Sequence, residues 1–310
     1  MAPKVVDSVL DLIGNTPLLR LRSVVPEGAA EVYAKLEYFS PGFSVKDRAA
    51  MGMVLELEER GVIGSGSTLV EPTAGNTGIG LALIGRARGY RVILCIPDGY
   101  SREKMQVMRA LGGEVEVTPK EEGMKGSIRR AGELVESIPG AVIPNQFSNP
   151  GNPNYHYATT AREIFEQMDG RIDAIVVGCG SAGTFTGLSR YLRERLPALR
   201  CFAVESEGSV LGGGEVRPHR VEGIGNSFVP DNFDRDLCCE VITADDRCCY
   251  EMSRRLAREE GVLGGGSAGG NVWAAVEVAR RLGPGGRVVT IVPDIAERYL
   301  SKGLFDDPEA

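Results

Sequence analysis

A lysine and a polar loop that follows it are the residues of this sequence whose types and spacing suggest chemistry. Lys46 lies in Ser40-Pro41-Gly42-Phe43-Ser44-Val45-Lys46-Asp47-Arg48, and the loop reads Glu71-Pro72-Thr73-Ala74-Gly75-Asn76-Thr77-Gly78. A lysine amine forms a Schiff base with an aldehyde when its surroundings keep part of it unprotonated. The backbone N–H groups and hydroxyls of the loop can surround a carboxylate or a phosphate. Together they predict chemistry at the Cα of an amino acid, although a solvated lysine and an ordinary helix cap would give the same pattern.

Two glycine-rich runs add to this pattern. The first, Gly178-Cys179-Gly180-Ser181-Ala182-Gly183-Thr184, can wrap a phosphate, and it lacks the Gly-Lys-Ser/Thr ending of a Walker loop. Glu205 lies near the spacing of a dinucleotide fingerprint, so a dinucleotide site stays open. In the second run, Gly264-Gly265-Gly266-Ser267-Ala268-Gly269-Gly270-Asn271, the hydroxyl could face a ring nitrogen, or the glycines could simply allow close helix packing.

The elements that must position these segments alternate along the chain. Short β-branched runs alternate with stretches of helical period, which predicts parallel sheets covered by helices, because parallel strands need crossover connections. Predicted strands cover residues 32–36, 68–71, 92–96, 114–117, 174–177, 201–204 and 288–292. Predicted helices cover residues 78–88, 102–111, 125–137, 157–167, 183–195, 248–259 and 271–281. Residues 145–153 read as a loop between two halves, and the glycine-rich segments fall where strands give way to helices, the edge at which ligands collect.

The composition limits the partners. The chain has 310 residues, 43% hydrophobic and 25% charged, which suits two domains or one large α/β domain. With a formal charge of -7 and no Lys/Arg-rich run, we expect no nucleic-acid partner. Residues 1–21 lack a signal-peptide pattern and no run approaches the roughly 18 apolar residues of a membrane helix, so we expect no membrane and a cytoplasmic location. Seven cysteines and two histidines fit neither a disulfide framework nor a zinc site, and we expect no metal.

Four motifs in this order resemble the cysteine synthase/cystathionine β-synthase family, fold-type II enzymes dependent on pyridoxal 5′-phosphate. They are Ser44-Val45-Lys46-Asp47-Arg48, Pro72-Thr73-Ala74-Gly75-Asn76-Thr77-Gly78, Gly180-Ser181-Ala182-Gly183-Thr184 and Gly266-Ser267-Ala268-Gly269. The resemblance implies an α/β fold of two doubly wound, mostly parallel-sheet domains, like the tryptophan synthase β chain. It also implies a smaller, mobile domain of residues 39–151, a larger one of residues 1–38 plus 152–310, and a homodimer.

The same resemblance implies residue roles. Lys46 is expected to form the Schiff base and to move the Cα proton. Asn76 is expected to hydrogen-bond the phenolic oxygen of the cofactor, and Ser267 to face its pyridine nitrogen. The cofactor phosphate is expected in a cup made of Gly180, Ser181, Ala182, Gly183 and Thr184. The amino-acid substrate is expected to contact Thr73, Ala74, Gly75, Thr77, Gln146, Gly223 and Gly225.

The implied activity is β-replacement on O-acetyl-L-serine or L-serine through an aminoacrylate. The nucleophile would be a thiol, with homocysteine giving cystathionine or sulfide giving cysteine. Segments such as Glu222-Gly223-Ile224-Gly225 resemble bacterial cystathionine β-synthase-like members that use O-acetylserine. O-phosphoserine or a non-standard nucleophile in a specialised pathway, a serine/threonine deaminase and a non-catalytic binding module remain open.

Two residues depart from the family pattern. Phe43 and Ala182 stand where the family commonly has glycine. Phe43 is expected to add bulk near Lys46 and so to alter the access of substrate or nucleophile. The methyl group of Ala182 is expected to be tolerated, at some loss of cofactor affinity.

Overall fold

A computed structural model describes residues 5–73 and 75–306. Its strands, in chain order, are β1 (Leu18–Leu21), β2 (Glu31–Leu36), β3 (Thr68–Pro72), β4 (Arg91–Pro97), β5 (Glu114–Thr118), β6 (Ala141–Val142), β7 (Ala174–Gly178), β8 (Arg200–Ser206), β9 (Glu240–Ala244) and β10 (Arg287–Val292). Its helices are α1 (Lys46–Glu59), α2 (Asn76–Arg88), α3 (Arg102–Ala110), α4 (Gly123–Ser137), α5 (Gly151–Ala158), α6 (Thr160–Gln167), α7 (Gly183–Arg195), α8 (Asp246–Arg255) and α9 (Gly266–Leu282).

The strands form two sheets. One has six strands in the order β1-β2-β10-β7-β8-β9, in which β1 runs antiparallel to β2 and the other pairs are parallel. The other has four parallel strands in the order β5-β4-β3-β6. The predicted α/β fold with mostly parallel sheets is therefore confirmed. The strands of the smaller sheet fall within residues 39–151, and the domain boundaries themselves stay a prediction.

The central strands are apolar because helices cover both of their faces. The first four residues of β7, Ala174 to Val177, are all buried, as expected for a parallel strand without a solvent-facing side. All seven predicted strands are present. The predictions missed β1, β6 and β9, of which β6 has two residues and β1 lies at a sheet edge, so neither carries a long buried run.

Three local predictions were wrong. The segment 145–153 is not all loop, since α5 begins at Gly151. The helix predicted over 157–167 is two helices, because Thr159 leaves the helical region with φ −121° and ψ −74°. The α-helix predicted over 248–259 ends at Arg255 and continues as a π-helical turn from Leu256 to Glu260. In the two helix predictions the helical period continues through a change of backbone conformation that the pattern of apolar residues does not report.

Helices α1 and α5 pack glycine against glycine. A Cβ at Gly52 would lie 2.2 Å from the carbonyl oxygen of Gly151, and a Cβ at Gly151 would lie 2.2 Å from the carbonyl oxygen of Gly52. The two backbones are therefore in direct contact, which no larger residue at either position would permit.

In the described part of the chain, no helix has both the length and the apolar character needed to cross a membrane. Over the same residues, no three histidine, cysteine or carboxylate side chains come together in a way that could hold a metal ion.

Candidate active site

A cavity of about 720 Å³ brings together most of the residues singled out from the sequence. Its lining includes Lys46, Thr73, Gly75, Asn76, Thr77, Gln146, Gly180, Ser181, Gly223, Gly225 and Ser267. Ala182, Gly183 and Thr184 lie in the adjoining start of α7. Ala74 lies outside the described residues.

Lys46 is the first residue of α1 and projects into this cavity. The loop before it is held at two points: Val45 N donates to the carbonyl of Pro293 at 2.7 Å, and Gly42 N donates to the Asp47 carboxylate at 2.6 Å. Burial lowers the pKa of the Lys46 ammonium, and the Asp294 carboxylate opposes this effect. A larger fraction of Lys46 is therefore a neutral amine, the form that attacks an aldehyde and accepts a proton.

The amide of Asn76 is oriented by two charged neighbours. Its Nδ2 donates to Asp294 Oδ2 at 2.6 Å, and its Oδ1 accepts from Arg298 Nη1 at 2.6 Å. Asp294 also accepts from the Tyr299 hydroxyl. Asp294 was not predicted as a site residue, although a polar residue two positions after the last predicted strand, at the ligand edge of a sheet, is a signal that could have found it.

The start of α2 offers backbone donors to an anion. Gly75 is the residue before the helix, and no side chain of the described residues caps α2, so its first turn can present backbone N–H groups to a carboxylate. Next to them, Thr77 donates to Gln146 Oε1 at 2.8 Å. Buried Glu71 holds the neighbouring segment by accepting from Asn145 N at 3.0 Å and Gln146 N at 3.4 Å. Burial raises the pKa of Glu71 to about 7, and these two bonds oppose that shift.

The start of α7 forms a closely packed cup. Ala182 precedes the helix in the left-handed conformation, with φ 61°. A Cβ at Gly180 would lie 2.5 Å from the carbonyl oxygen of Gly223, and a Cβ at Gly183 would lie 2.0 Å from Asn152 Oδ1. Since no side chain caps α7, its first N–H groups are available to a phosphate. These glycines are required by packing, whereas Ala182 adopts a backbone that glycine would adopt at lower cost.

Ser267 and the segment around Gly223 complete the cavity wall. Ser267 is buried in the first turn of α9, and Gly223 lies against its side chain. Gly223 and Gly225 have φ of 89° and 92°, and Gly225 N donates to the carbonyl of Cys179 at 2.9 Å. This hydrogen bond fixes the segment to the strand end that leads into the cup.

Three of the charged residues of the cavity wall that were not predicted form a cluster. Glu222 accepts from Lys104 Nζ at 2.7 Å and also pairs with Lys302. Lys104 is buried, with its ammonium 4.3 Å from the ring centre of Tyr299. Lysines and glutamates are common on any surface, so their sequence positions carried no signal.

Phe43 does not act as expected from the sequence. Phe43 is 53% exposed and is not among the described residues that line the cavity. The expectation that its bulk limits access to Lys46 was therefore wrong. What distinguishes Phe43 is its backbone, which has the left-handed φ of 55° that suits glycine.

Comparisons with known proteins identify the family of the chain. The model of a family described as "Pyridoxal-phosphate dependent enzyme" matches residues 9–294. The chain belongs to this family. A cysteine synthase of Staphylococcus aureus (strain Mu50) is 45% identical over 311 residues, 99% of this chain and 100% of that protein.

Two solved structures extend the comparison. The O-acetylserine-dependent cystathionine β-synthase of Helicobacter pylori has a TM-score of 0.91 and 43% identity, and covers 98% of this chain and 100% of its own. An O-ureido-L-serine synthase has a TM-score of 0.94 and 42% identity, and the match covers 98% of this chain and 96% of that protein. The chain is thus a pyridoxal-phosphate-dependent enzyme of the cysteine synthase/cystathionine β-synthase type, with the fold-type II architecture. The cofactor expected from the sequence is confirmed.

The residues present fit pyridoxal 5′-phosphate. Its aldehyde requires an amine of lowered pKa, which Lys46 provides at the cavity. Its phosphate requires a cradle in which a Cβ would intrude, which Gly180 and Gly183 provide before α7. Its pyridine nitrogen requires a polar side chain in the cavity wall, and Ser267 offers a hydroxyl there.

Proposed function

We propose that the protein catalyses β-replacement on O-acetyl-L-serine, with a thiol as the nucleophile. The observation that supports this best is the shared cavity, which is lined by Lys46, the start of α2 and the residues leading into α7. When bound, pyridoxal 5′-phosphate supplies the electron sink that allows the Cα proton and the β substituent to leave.

In this proposal Lys46 holds the cofactor and moves the proton. Its Nζ is the amine that would hold the aldehyde of the cofactor, and it would also be the base that removes and returns the proton at Cα of the substrate. Burial lowers the pKa of Lys46, so its neutral form is available near pH 7 more often than that of a surface lysine. A carboxylate next to the pyridine nitrogen would keep that nitrogen protonated, whereas the neutral hydroxyl of Ser267 would not. An unprotonated ring is the weaker electron sink, which suits elimination of the β substituent better than a long-lived carbanion.

The start of α2 is proposed to bind the substrate carboxylate. The backbone N–H groups at the start of α2 and the hydroxyl of Thr73 would donate to this carboxylate from the cavity wall. Gln146, which accepts from Thr77, would keep that hydroxyl in place. Asn76 is proposed to contact the phenolic oxygen of the cofactor, with its amide oriented by Asp294 and Arg298. Gly223 and Gly225 would border the substrate amine.

The charges of the cavity wall favour an amino-acid thiol such as homocysteine over sulfide. Lys104 and Lys302 could receive a carboxylate, and Glu222 could receive an ammonium group. A cavity of about 720 Å³ also has room for a second amino acid beside the first. The similarity to a cystathionine β-synthase that uses O-acetylserine is consistent with this nucleophile.

The proposal is tested by offering O-acetylserine, serine and O-phosphoserine, each with homocysteine and with sulfide, and by identifying the products by mass. We expect cystathionine from O-acetylserine and homocysteine, with a slower formation of cysteine from sulfide. Lys46→Ala is expected to lower turnover by at least about 10³-fold, because general-base catalysis and covalent binding are both lost.

Other products would replace the proposal by a different activity. Release of ammonia and a 2-oxo acid without any thiol would indicate a deaminase. Products formed only with O-phosphoserine, or only with a nitrogen nucleophile, would indicate a specialised pathway. A homodimer and a cytoplasmic location stay predictions.

A further inference from the structure

Helix α5 packs behind the phosphate cup and presents two polar side chains to its hydroxyls. Asn152 and His156 are fully buried and four residues apart, so they share one face of the helix. Asn152 Nδ2 lies 3.0 Å from Ser181 Oγ, and His156 Nε2 lies 3.2 Å from Thr184 Oγ1. Neither is among the described residues that line the cavity, so any effect on a phosphate must pass through these hydroxyls.

We propose that Asn152 and His156 are positioning residues, which donate to the oxygens of Ser181 and Thr184 so that both hydroxyl protons are left for a bound phosphate. The proposal rests on the proposed function in one respect, the placement of the cofactor phosphate at the start of α7. A hydroxyl carries a single proton, and a phosphate oxygen without a proton can only accept. The direction of the bond behind each hydroxyl therefore decides whether the cup has a donor to offer.

The direction at Ser181 follows from the amide of Asn152. Asn152 Nδ2 also lies 2.9 Å from the carbonyl oxygen of Gln146, which can only accept. Rotating the Asn152 amide by half a turn would place its Oδ1 against the carbonyl oxygen of Gln146, so Nδ2 must face that carbonyl. The second N–H of the same nitrogen then points at Ser181 Oγ, and the proton of Ser181 is free.

The direction at Thr184 depends on which nitrogen of the neutral His156 ring carries the proton. Burial lowers the pKa of His156 well below its usual value, and the charges of Arg48 and Lys46 add to this, while Glu163 opposes it. The neutral ring has one N–H. If Thr184 donates to a phosphate, that N–H must be on Nε2, and Nδ1 must accept from the Thr160 hydroxyl, 2.8 Å away. The chain of donors thus runs from Thr160 through the ring to Thr184.

The sequence offers an internal reference for this tautomer. The other histidine, His219, places Nδ1 2.9 Å from the carbonyl oxygen of Val221, which requires the proton on Nδ1. In ¹⁵N-histidine-labelled holoenzyme above pH 8, we expect Nε2–H for His156 and Nδ1–H for His219 in long-range ¹H–¹⁵N spectra. A proton on Nδ1 of His156 in the holoenzyme would overturn the proposal.

A pair of substitutions that differ by one methylene separates positioning from packing. His156→Gln can place an amide N–H near the former Nε2, whereas His156→Asn reaches only the Nδ1 side. On dilution of the holoenzyme, we expect His156→Asn to release the cofactor about tenfold more readily than wild type, which is the effect of losing one hydrogen bond to a charged group. We expect His156→Gln to retain the cofactor about as well as wild type. The ³¹P shift of the bound phosphate is expected to follow the same order.

Equal retention of cofactor by the two variants, both folded by circular dichroism, would contradict the proposal. The measurements distinguish failure of this positioning proposal from failure of the proposed function. Absence of β-replacement would leave the tautomer and the cofactor retention unchanged, and the wrong tautomer would leave the product analysis unchanged.

Discussion

Phe43 influences the protein through its backbone, since its exposed ring does not line the cavity. A left-handed conformation costs a residue with a side chain about 1–2 kcal/mol, so glycine at position 43 would relieve this strain. Part of that gain in stability is offset because glycine has more conformational freedom in the unfolded chain. We expect Phe43→Gly to change the free energy of unfolding by about 0 to +1 kcal/mol. We expect Phe43→Val to lower it by about 1 kcal/mol, because a branched Cβ fits this region poorly. Urea unfolding measures both.

Gly42→Ala is the matched control on the neighbouring residue. A Cβ at Gly42 would lie 2.2 Å from Asp47 Oδ1, so we expect this variant to cost about 2 kcal/mol or more, through displacement of the buried carboxylate. A large loss of stability in Phe43→Gly would instead show that the ring makes packing contacts.

At the scale of elements, a buried ion network ties α1 to its neighbours. Arg48, two residues after Lys46, pairs with Glu37 at 2.7 Å and with Glu163 of α6 at 2.7 Å. Glu163 also pairs with Lys35 of β2 at 2.7 Å. Against the upward effect of burial, Arg48 and Lys35 lower the pKa of Glu163 to about 2. The network therefore holds the helix that carries Lys46 against both α6 and the larger sheet.

Glu163→Gln is expected to lower the free energy of unfolding by about 3 kcal/mol at pH 7, because buried Lys35 loses its carboxylate and Arg48 keeps only Glu37. The folded pKa of Glu163 lies below its ordinary value of 4.5, so its stabilisation is present above pH 4.5 and is lost as the pH falls toward 2. Urea unfolding at several pH values should show the difference between wild type and variant narrowing over that range.

Glu166→Gln, also on α6, is the control for this substitution. Glu166 pairs with Arg162 on the surface, where both side chains are more than half exposed, so we expect a change below about 0.5 kcal/mol. A Glu163→Gln effect that does not depend on pH would mean that packing, and not charge, explains the loss.

The elements were largely predictable and the buried polar contacts were not. The glycine-rich turns before α2, α7 and α9 are local signals, and they place the correct backbone at the cavity. The partner of Asn76 is Asp294, 218 residues away, and that of Thr184 is His156 on another helix. Such pairings arise when distant elements pack, so spacing along a single sequence does not contain them. The same holds for Phe43, whose exposure depends on how its loop lies on the folded protein.

At the scale of the whole molecule, Glu222 joins parts of the chain that belong to different sheets. Lys104 is on α3, which connects two strands of the smaller sheet, and Lys302 follows the last strand of the larger one. We expect Glu222→Gln to lower the free energy of unfolding by about 3 kcal/mol, because two cations lose their shared carboxylate. Lys104→Met should cost only about 1 kcal/mol, because Glu222 keeps Lys302. Urea unfolding of each variant tests this order.

The double variant provides the decisive comparison. If the pair acts as described, Lys104→Met combined with Glu222→Gln should cost less than the sum of the single substitutions. Strict additivity would show that the contact between the two sheets does not depend on this pair.

The glycine contact between α1 and α5 has a consequence for cofactor choice. Helix α1 begins with the amine, and α5 supports the cup, so the backbone contact between Gly52 and Gly151 sets the span from amine to phosphate. Side-chain contacts between the helices could adjust to a longer or shorter compound, whereas direct backbone contact prevents α1 and α5 from moving closer together. We therefore expect the cavity to favour a phosphorylated aldehyde of one length.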